Sequence, residues 1–240
     1  LANLASQGSL VYRTRYNIST LTGLVQIGIL FFLWRAFYLN TNEVAGYTWS
    51  HIRTYLFLTY LLNLLITFYT ELRISQSIRV GNIALELIKP IDYQWARFAE
   101  ATGTALVEGV VVGAGATLVA IALFQILPPE LSNLFWLPFS LLAAFGLKFL
   151  LAYIVGILCF WTTNAVGLIF ARITVTNFFS GGLIPLALLP EWLETIALYL
   201  PFQGTLHTPV SLYLGRIMDA EAIRAIIVQY VWILVLWYVA

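Results

Sequence analysis

The chain has 240 residues, of which 61% are hydrophobic and only 10% charged, and its formal net charge is +1. Soluble domains carry about 25% charged residues, so a surface solvated all round is excluded, and a mean hydropathy of +0.89 points to a bilayer as the covering medium. The near-zero net charge gives no footing for a nucleic-acid partner, and the single cysteine, Cys159, excludes an internal disulfide.

Residues 1–17 mix Leu1, Leu4, Leu10, Val11 and Tyr12 with Ser, Gln and Arg. This pattern predicts an amphipathic helix lying in the inner interface, with an unstructured tail as the alternative. No basic stretch is followed by a short apolar core and a small-residue cleavage site. The chain opens at Leu1 and stops at Ala240 inside an apolar run, so a few residues are expected to be missing at either end.

A spanning helix needs roughly 20 apolar residues. Six stretches qualify: Leu21–Leu39, Tyr55–Tyr69, Ala101–Ile126, Leu134–Phe160, Ala165–Leu183, and one that begins near Ala222 and runs to the end. Only Trp161-Thr162-Thr163-Asn164 separates the fourth from the fifth, so those two form a tight helical hairpin. The fold class is therefore all-α, a polytopic membrane protein in one domain, without internal repeat.

Lys and Arg in the connecting segments set the orientation. With the N-terminus inside, the inner segments carry Arg13, Arg15, Arg73, Arg79, Lys89 and Arg97, whereas residues 40–52 and 127–133 carry none. Arg216 and Arg224 on the outer side weaken the asymmetry without reversing it. Trp34, Trp49, Trp136 and Trp192 then fall at the outer interface, and Trp95 and Trp161 at the inner one.

In the second stretch Tyr60, Asn63 and Thr67 follow one another at spacings of three and four, which puts them on one helix face. Thr174, Asn177 and Phe178 form a comparable group in the fifth. Each group can line a transport path or merely hydrogen-bond between helices.

The longest soluble segment is expected at residues 71–100. Within it Ile83 and Leu87 are four apart and share a helix face, while Pro90 disfavours helix at Lys89 and ends the run. The result is a short amphipathic helix on the inner side, either a docking helix for a soluble partner or a helix that floats at the interface.

Three charges fall inside the predicted spans: Glu108, Lys148 and Arg172. A charge at mid-bilayer costs about 3 kcal/mol on insertion scales, so such residues face a partner or water. Glu108 and Arg172 both lie roughly 10 Å above the inner ends of their helices and are at a depth to pair. Lys148 lies roughly 18 Å in and is expected to snorkel or face an aqueous cavity. Structural pairing and a proton or substrate role both remain open.

The segment 178–192 is too apolar for a water-exposed loop and too broken by Gly181, Gly182, Pro185 and Pro190 for one helix. Non-helical backbone at membrane depth persists only where protein or a water-filled cavity surrounds it, so this stretch is expected to build a cap at the outer face. His51 and His207 are far apart and lack Cys or carboxylate at ligand spacing, so no metal site is expected. Ser180 lacks the preceding Gly-x of a nucleophile elbow.

Taken in order, these segments resemble the permease subunits of the ABC-2-type exporter family, over nearly the whole chain. Arg79-x-Gly81 followed by Leu87-Ile88-x-Pro90-Ile91 is similar to the family's coupling-helix segment. Phe179-Ser180-Gly181-Gly182 through Pro185, then Leu189-Pro190-Glu191-Trp192-Leu193 and Leu200-Pro201-Phe202, resembles its outer re-entrant helices. The Phe160-Trp161-Thr162 corner, with Pro209 and Gly215 downstream, looks closest to permeases of viologen and multidrug exporters.

The resemblance implies a membrane-spanning subunit in the plasma (inner) membrane that pairs with a second permease, identical or related. It also implies two cytoplasmic ATPase subunits, usually separate chains, which hold the ATP and Mg. Arg79, Gly81, Ile83, Glu86, Leu87, Pro90 and Asp92 would form the ATPase-coupling segment. Phe179, Gly181, Gly182, Pro185, Pro190 and Trp192 would form the outer cap, within paired short helices over 178–215. Tyr60, Asn63, Thr67, Thr174, Asn177 and Phe178 would line the transport path. The chain contains no G-x-x-x-x-G-K-[ST] pattern, so it is not expected to bind a cofactor or hydrolyse ATP. A proton-coupled transporter using Glu108 and Lys148, or a non-transporting membrane scaffold, are the alternatives.

Overall fold

The computed structural model describes residues 28–65, 70–103, 105, 126–162 and 165–240. The predicted interfacial helix at 1–17, nearly all of the predicted third span, Thr67 and Glu108 lie outside the described residues.

In chain order the described elements are α1 (Gly28–Phe37), a two-residue hairpin of β1 (Glu43–Val44) and β2 (Tyr47–Thr48), and α2 (Trp49–Leu65). There follow α3 (Thr70–Val80), α4 (Ile83–Leu87) and α5 (residues 93–103). After the undescribed stretch come α6 (Leu137–Leu158), α7 (Ala165–Phe179), α8 (Glu191–Tyr199), α9 (His207–Tyr213) and α10 (Asp219–Val239).

Among the described residues two helices are long and apolar enough to cross a membrane, α6 with 22 residues and α10 with 21. At 1.5 Å per residue α6 is about 33 Å long, which matches a hydrocarbon core of about 30 Å. Pro138 sits in its first turn, where the missing N–H would have no helical partner anyway. Asp219 and Glu221 occupy the first turn of α10, where negative charge complements the helix dipole.

The two helices differ in burial: 56% of the α6 window is covered by protein but only 17% of the α10 window. Thus α6 is the axis of the fold, with α3, α7, α9 and α10 packed around it, while most of the surface of α10 is left uncovered by the protein. Ala143, Ala144, Leu147, Phe149 and Leu150 of α6 are wholly buried. Small residues let its neighbours close in. A Cβ at Gly156 would lie 2.9 Å from Ile74 Cδ1 of α3, and one at Gly146 would lie 3.3 Å from Ile233 Cδ1 of α10.

Several expectations need correction. The second helix begins earlier, at Trp49, and within the segment expected from residue 71 the chain forms α3, part of which packs into the protein. Thr70, Glu71, Ile74 and Ser75 of α3 are buried, because Glu71 is neutralised by an ion pair and so does not force the chain into water. Trp34, expected at the outer interface, is buried beside Tyr47, Tyr55 and Leu206 in an aromatic core at that end. Ile83 and Leu87 do not share an environment: Ile83 is 7% exposed and Leu87 57%. The fourth and fifth predicted spans correspond to α6 and α7, the latter ending at Phe179 rather than Leu183.

Candidate functional site

At the Gly156 end of α6 the chain leaves α3 through Gly81, whose φ of +82° suits glycine. It then makes the single turn and a half of α4. Ile83 and Glu86 face the protein, and the rest of the segment does not. Leu85, Leu87 and Ile88 are 67%, 57% and 78% exposed, and Ile91, just past Pro90, is 63% exposed. A contiguous exposed apolar surface marks a place of contact with protein or membrane. Asp92 acts locally, since its carboxylate accepts the Trp95 N–H at 2.9 Å and so caps the N-terminus of α5. Arg79 lies in the last turn of α3, where a cation complements the dipole.

Glu86 turns inward toward a cation of α5, although its Oε2 is left without a hydrogen-bond partner. Arg97 Nη2 lies 3.9 Å from Glu86 Oε2, and Arg97 Nη1 lies 2.9 Å from Glu100 Oε2. Glu100 also pairs with Arg73 of α3. The Arg97 guanidinium sits 5.3 Å from the Tyr93 ring centroid. Burial raises the Tyr93 phenol above its usual value, Arg97 pulls it down, and the neighbouring Glu86 pushes it up.

Midway along the fold, Lys148 of α6 is buried and does not reach solvent. It donates to Asn63 Oδ1 at 2.8 Å and to the Leu62 carbonyl at 3.4 Å. Arg172 of α7 donates to Glu71 Oε1 at 2.5 Å. Among the described residues the carboxylate that Arg172 meets is Glu71, the residue at which the soluble segment was expected to begin; Glu108, the expected partner, lies outside the described residues.

Of the two predicted polar groups, Asn63 is drawn to Lys148 and Tyr60 is half-buried on the same helix. Thr174 is exposed, and its hydroxyl donates to the Phe170 carbonyl of its own helix. The Asn177 carbonyl accepts the Gly182 N–H, and Phe178 meets Phe179 edge to face. Among the described residues no cluster of His, Cys, Asp or Glu side chains is suited to hold a metal.

At the other end the chain breaks where Gly181 and Gly182 stand. Gly181 has φ of +80°, its N–H bonds the Phe178 carbonyl, and the Gly182 N–H bonds the Asn177 carbonyl at 2.9 Å. This double bond pattern around a left-handed glycine terminates α7. The freed Gly181 carbonyl accepts the buried Tyr55 hydroxyl at 2.6 Å. Pro185 and Pro190 each precede a short helical piece, and Phe202 stacks on Phe179 at 6.1 Å. Trp192 is 66% exposed on α8. Gln229 of α10 donates to the Gly204 carbonyl at 2.7 Å and to the Ser140 carbonyl at 3.2 Å.

The same glycine pattern ends α9 at Gly215, and the following Arg216 reaches the hairpin. It donates to the carbonyls of Gly46 at 2.8 Å and Ala45 at 3.1 Å, and covers the Tyr47 ring at 4.3 Å. Tyr55, Glu71, Gln229 and Arg216 all carry structure that the sequence reading missed. Gln229 had a signal, a polar residue flanked by apolar helix; Glu71, Arg216 and Tyr55 had none that spacing reveals.

A family profile described as "ABC-2 family transporter protein" matches residues 24–240. No curated protein and no solved structure matches the chain.

Proposed function

Because the chain belongs to the ABC-2 transporter family, we propose that it is the membrane-spanning subunit of an ATP-driven exporter. In this reading it crosses the plasma membrane six times with its N-terminus in the cytoplasm. It works beside a second permease, with two ATPase subunits that bind ATP and Mg. The subgroup it resembles exports viologens and other drugs.

The observation that supports this reading most directly is the α4 segment: Leu85, Leu87, Ile88 and Ile91 lie exposed together while Ile83 and Glu86 anchor the helix from behind. A membrane helix facing lipid would be long and apolar all round; α4 is five residues and has an acid on its inner side. The surface suits a cleft on a soluble protein. ATP binding that closes two such partners would press on α4 and shift the packing of the permease pair. Substrate would then leave past the short helices of 178–215. ATP drives this cycle only by binding one state more tightly than the other.

The test is purification of the chain in mild detergent from its native membrane, with the co-purifying proteins identified. A stoichiometric ATPase with a phosphate-binding loop, lost on Leu87→Asp or Ile88→Asp, is the expected result. A clean preparation without an ATPase refutes the exporter reading. A second permease in the preparation identifies the dimer.

A further inference from the structure

Helix α10 carries an exposed cation, Arg224, beyond the first turn that holds Asp219 and Glu221. It stands about 8 Å along the helix from Asp219. Arg224, Ile227, Val231 and Leu234 follow at spacings of three, four and three, so they share one face, and all are exposed. From Arg224 to Leu234 is about 15 Å, half of a hydrocarbon core about 30 Å thick. A wall beside this face is Tyr199, the last residue of α8. Its carbonyl accepts the Trp232 Nε1–H at 2.9 Å, and its hydroxyl accepts from Arg224 Nη2 at 3.3 Å. The two bonds meet α10 at residues two turns apart, so the Tyr199 side chain lies along the helix. Among the described residues Arg224 forms no ion pair, and neither does Glu221, exposed one turn nearer the start of α10.

We propose that this face of α10 binds a phospholipid with an amine head group, its phosphate on Arg224, its amine toward Glu221 and one acyl chain along Ile227, Val231 and Leu234. The site rests on α10 spanning the bilayer and takes its leaflet, the outer one, from the orientation in the exporter reading; no ATPase enters it. An arginine this far into an apolar helix must face a partner or water, and α8 offers it only a neutral hydroxyl. A guanidinium takes a phosphate through two parallel N–H···O bonds. The Tyr199 hydroxyl already orients it, which lowers the ordering cost of binding. The charges run in the order of the head group: Glu221 nearer the water for the amine, Arg224 below it for the phosphate. The apolar face beneath has the length of an acyl chain in one leaflet, and only 17% of the α10 window is covered by protein. A second permease is the rival occupant. It would take both charges out of water, which is unfavourable unless each is paired, whereas the lipid brings a counter-charge to each.

The test is native mass spectrometry of the full chain in mild detergent with three added lipids. These are dioleoyl phosphatidylethanolamine, dioleoyl phosphatidylglycerol, which lacks the amine, and dioleoylglycerol, which lacks the phosphate. The wild type retains phosphatidylethanolamine and binds the other two more weakly. Arg224→Gln weakens the affinity for phosphatidylethanolamine by about tenfold, and Arg224→Lys by less. Glu221→Gln removes the preference over phosphatidylglycerol. Arg35→Gln, at an exposed arginine of α1, leaves binding unchanged. A phosphatidylethanolamine with a photoreactive diazirine in its acyl chain crosslinks to α10 between residues 224 and 234 or to the end of α8.

Equal binding of the three lipids, an Arg224→Gln affinity within about twofold of wild type, an equal loss in Arg35→Gln, or crosslinks confined to other helices overturn the site. A changed oligomeric state in Arg224→Gln also overturns it, because the face then belongs to a second permease. If Arg224→Gln gives no monodisperse preparation, the wild-type crosslinks and the contrast between phosphatidylethanolamine and dioleoylglycerol decide. Failure of the exporter reading shows separately, as absence of the ATPase, and leaves lipid retention as it was.

Discussion

Replacing Glu71 by Leu tests the most unexpected interaction in the fold. The Glu71 side chain is 4% exposed, its partner Arg172 is 16% exposed, and their oxygen and nitrogen are 2.5 Å apart. Among the described residues the substitution leaves the Arg172 guanidinium, in a low-dielectric interior, without a counter-charge. Removing one member of a buried pair costs about 3 to 5 kcal/mol, whereas replacing both by apolar groups of similar volume is close to neutral. For a domain of this size about 1 kcal/mol shifts the melting temperature by about 2 to 4 °C. The single variant should therefore melt roughly 6 to 20 °C below wild type. Thermal unfolding of the detergent-purified chain, followed by loss of the monodisperse peak in size-exclusion chromatography, measures this. Glu71→Leu combined with Arg172→Met should recover most of the loss. If Glu71→Leu melts with the wild type, the pair does not carry the weight assigned to it. If Glu108→Gln instead shows the large loss and Arg172→Met rescues that one, Arg172 belongs to Glu108 and the depth argument from the sequence was the better guide.

Tyr55→Phe removes the only hydroxyl on the buried Gly181 carbonyl found among the described residues, and should cost about 1 to 3 kcal/mol in the same assay. Gly181→Ala should be at least as costly, because alanine must adopt φ near +80° and its methyl meets the Tyr55 hydroxyl. Gln229→Leu leaves the Ser140 and Gly204 carbonyls without their donor and should also cost about 1 to 3 kcal/mol, whereas Gln229→Glu is expected to be worse, since it puts an acceptor against two acceptors. Asp92→Ala should lose about 1 kcal/mol of helix stability at α5, and Asp92→Ser should restore most of it; hydrogen exchange at residues 93–96 reads this directly. If Asp92 acts chiefly on a partner, exchange stays unchanged and only ATPase co-purification falls.

Composition and hydropathy were enough to read a helical membrane protein, because a span must be apolar over its whole length and α6 and α10 are. The breaks were legible as well. Gly181-Gly182 and Pro190 stop a helix through backbone geometry, which depends on the residue itself and its immediate neighbours. The exposed apolar run around Leu87 and Pro90 stood out for the same reason. Pairings were not legible, since they depend on which helices lie side by side. Glu71 read as the start of a loop because a charge next to an apolar run looks solvated until Arg172 is brought to it from 101 residues away. Asn63 read as part of a polar stripe, yet its direction is set by Lys148 on another helix. Glu86 and Leu87 are adjacent in sequence and face opposite ways because α5 offers Arg97 to one and nothing to the other. Local chemistry thus fixed which stretches are helical and where glycine and proline break them; only the packing of α3, α5 and α7 around α6 decided which charges are neutralised and which face of α4 is left open.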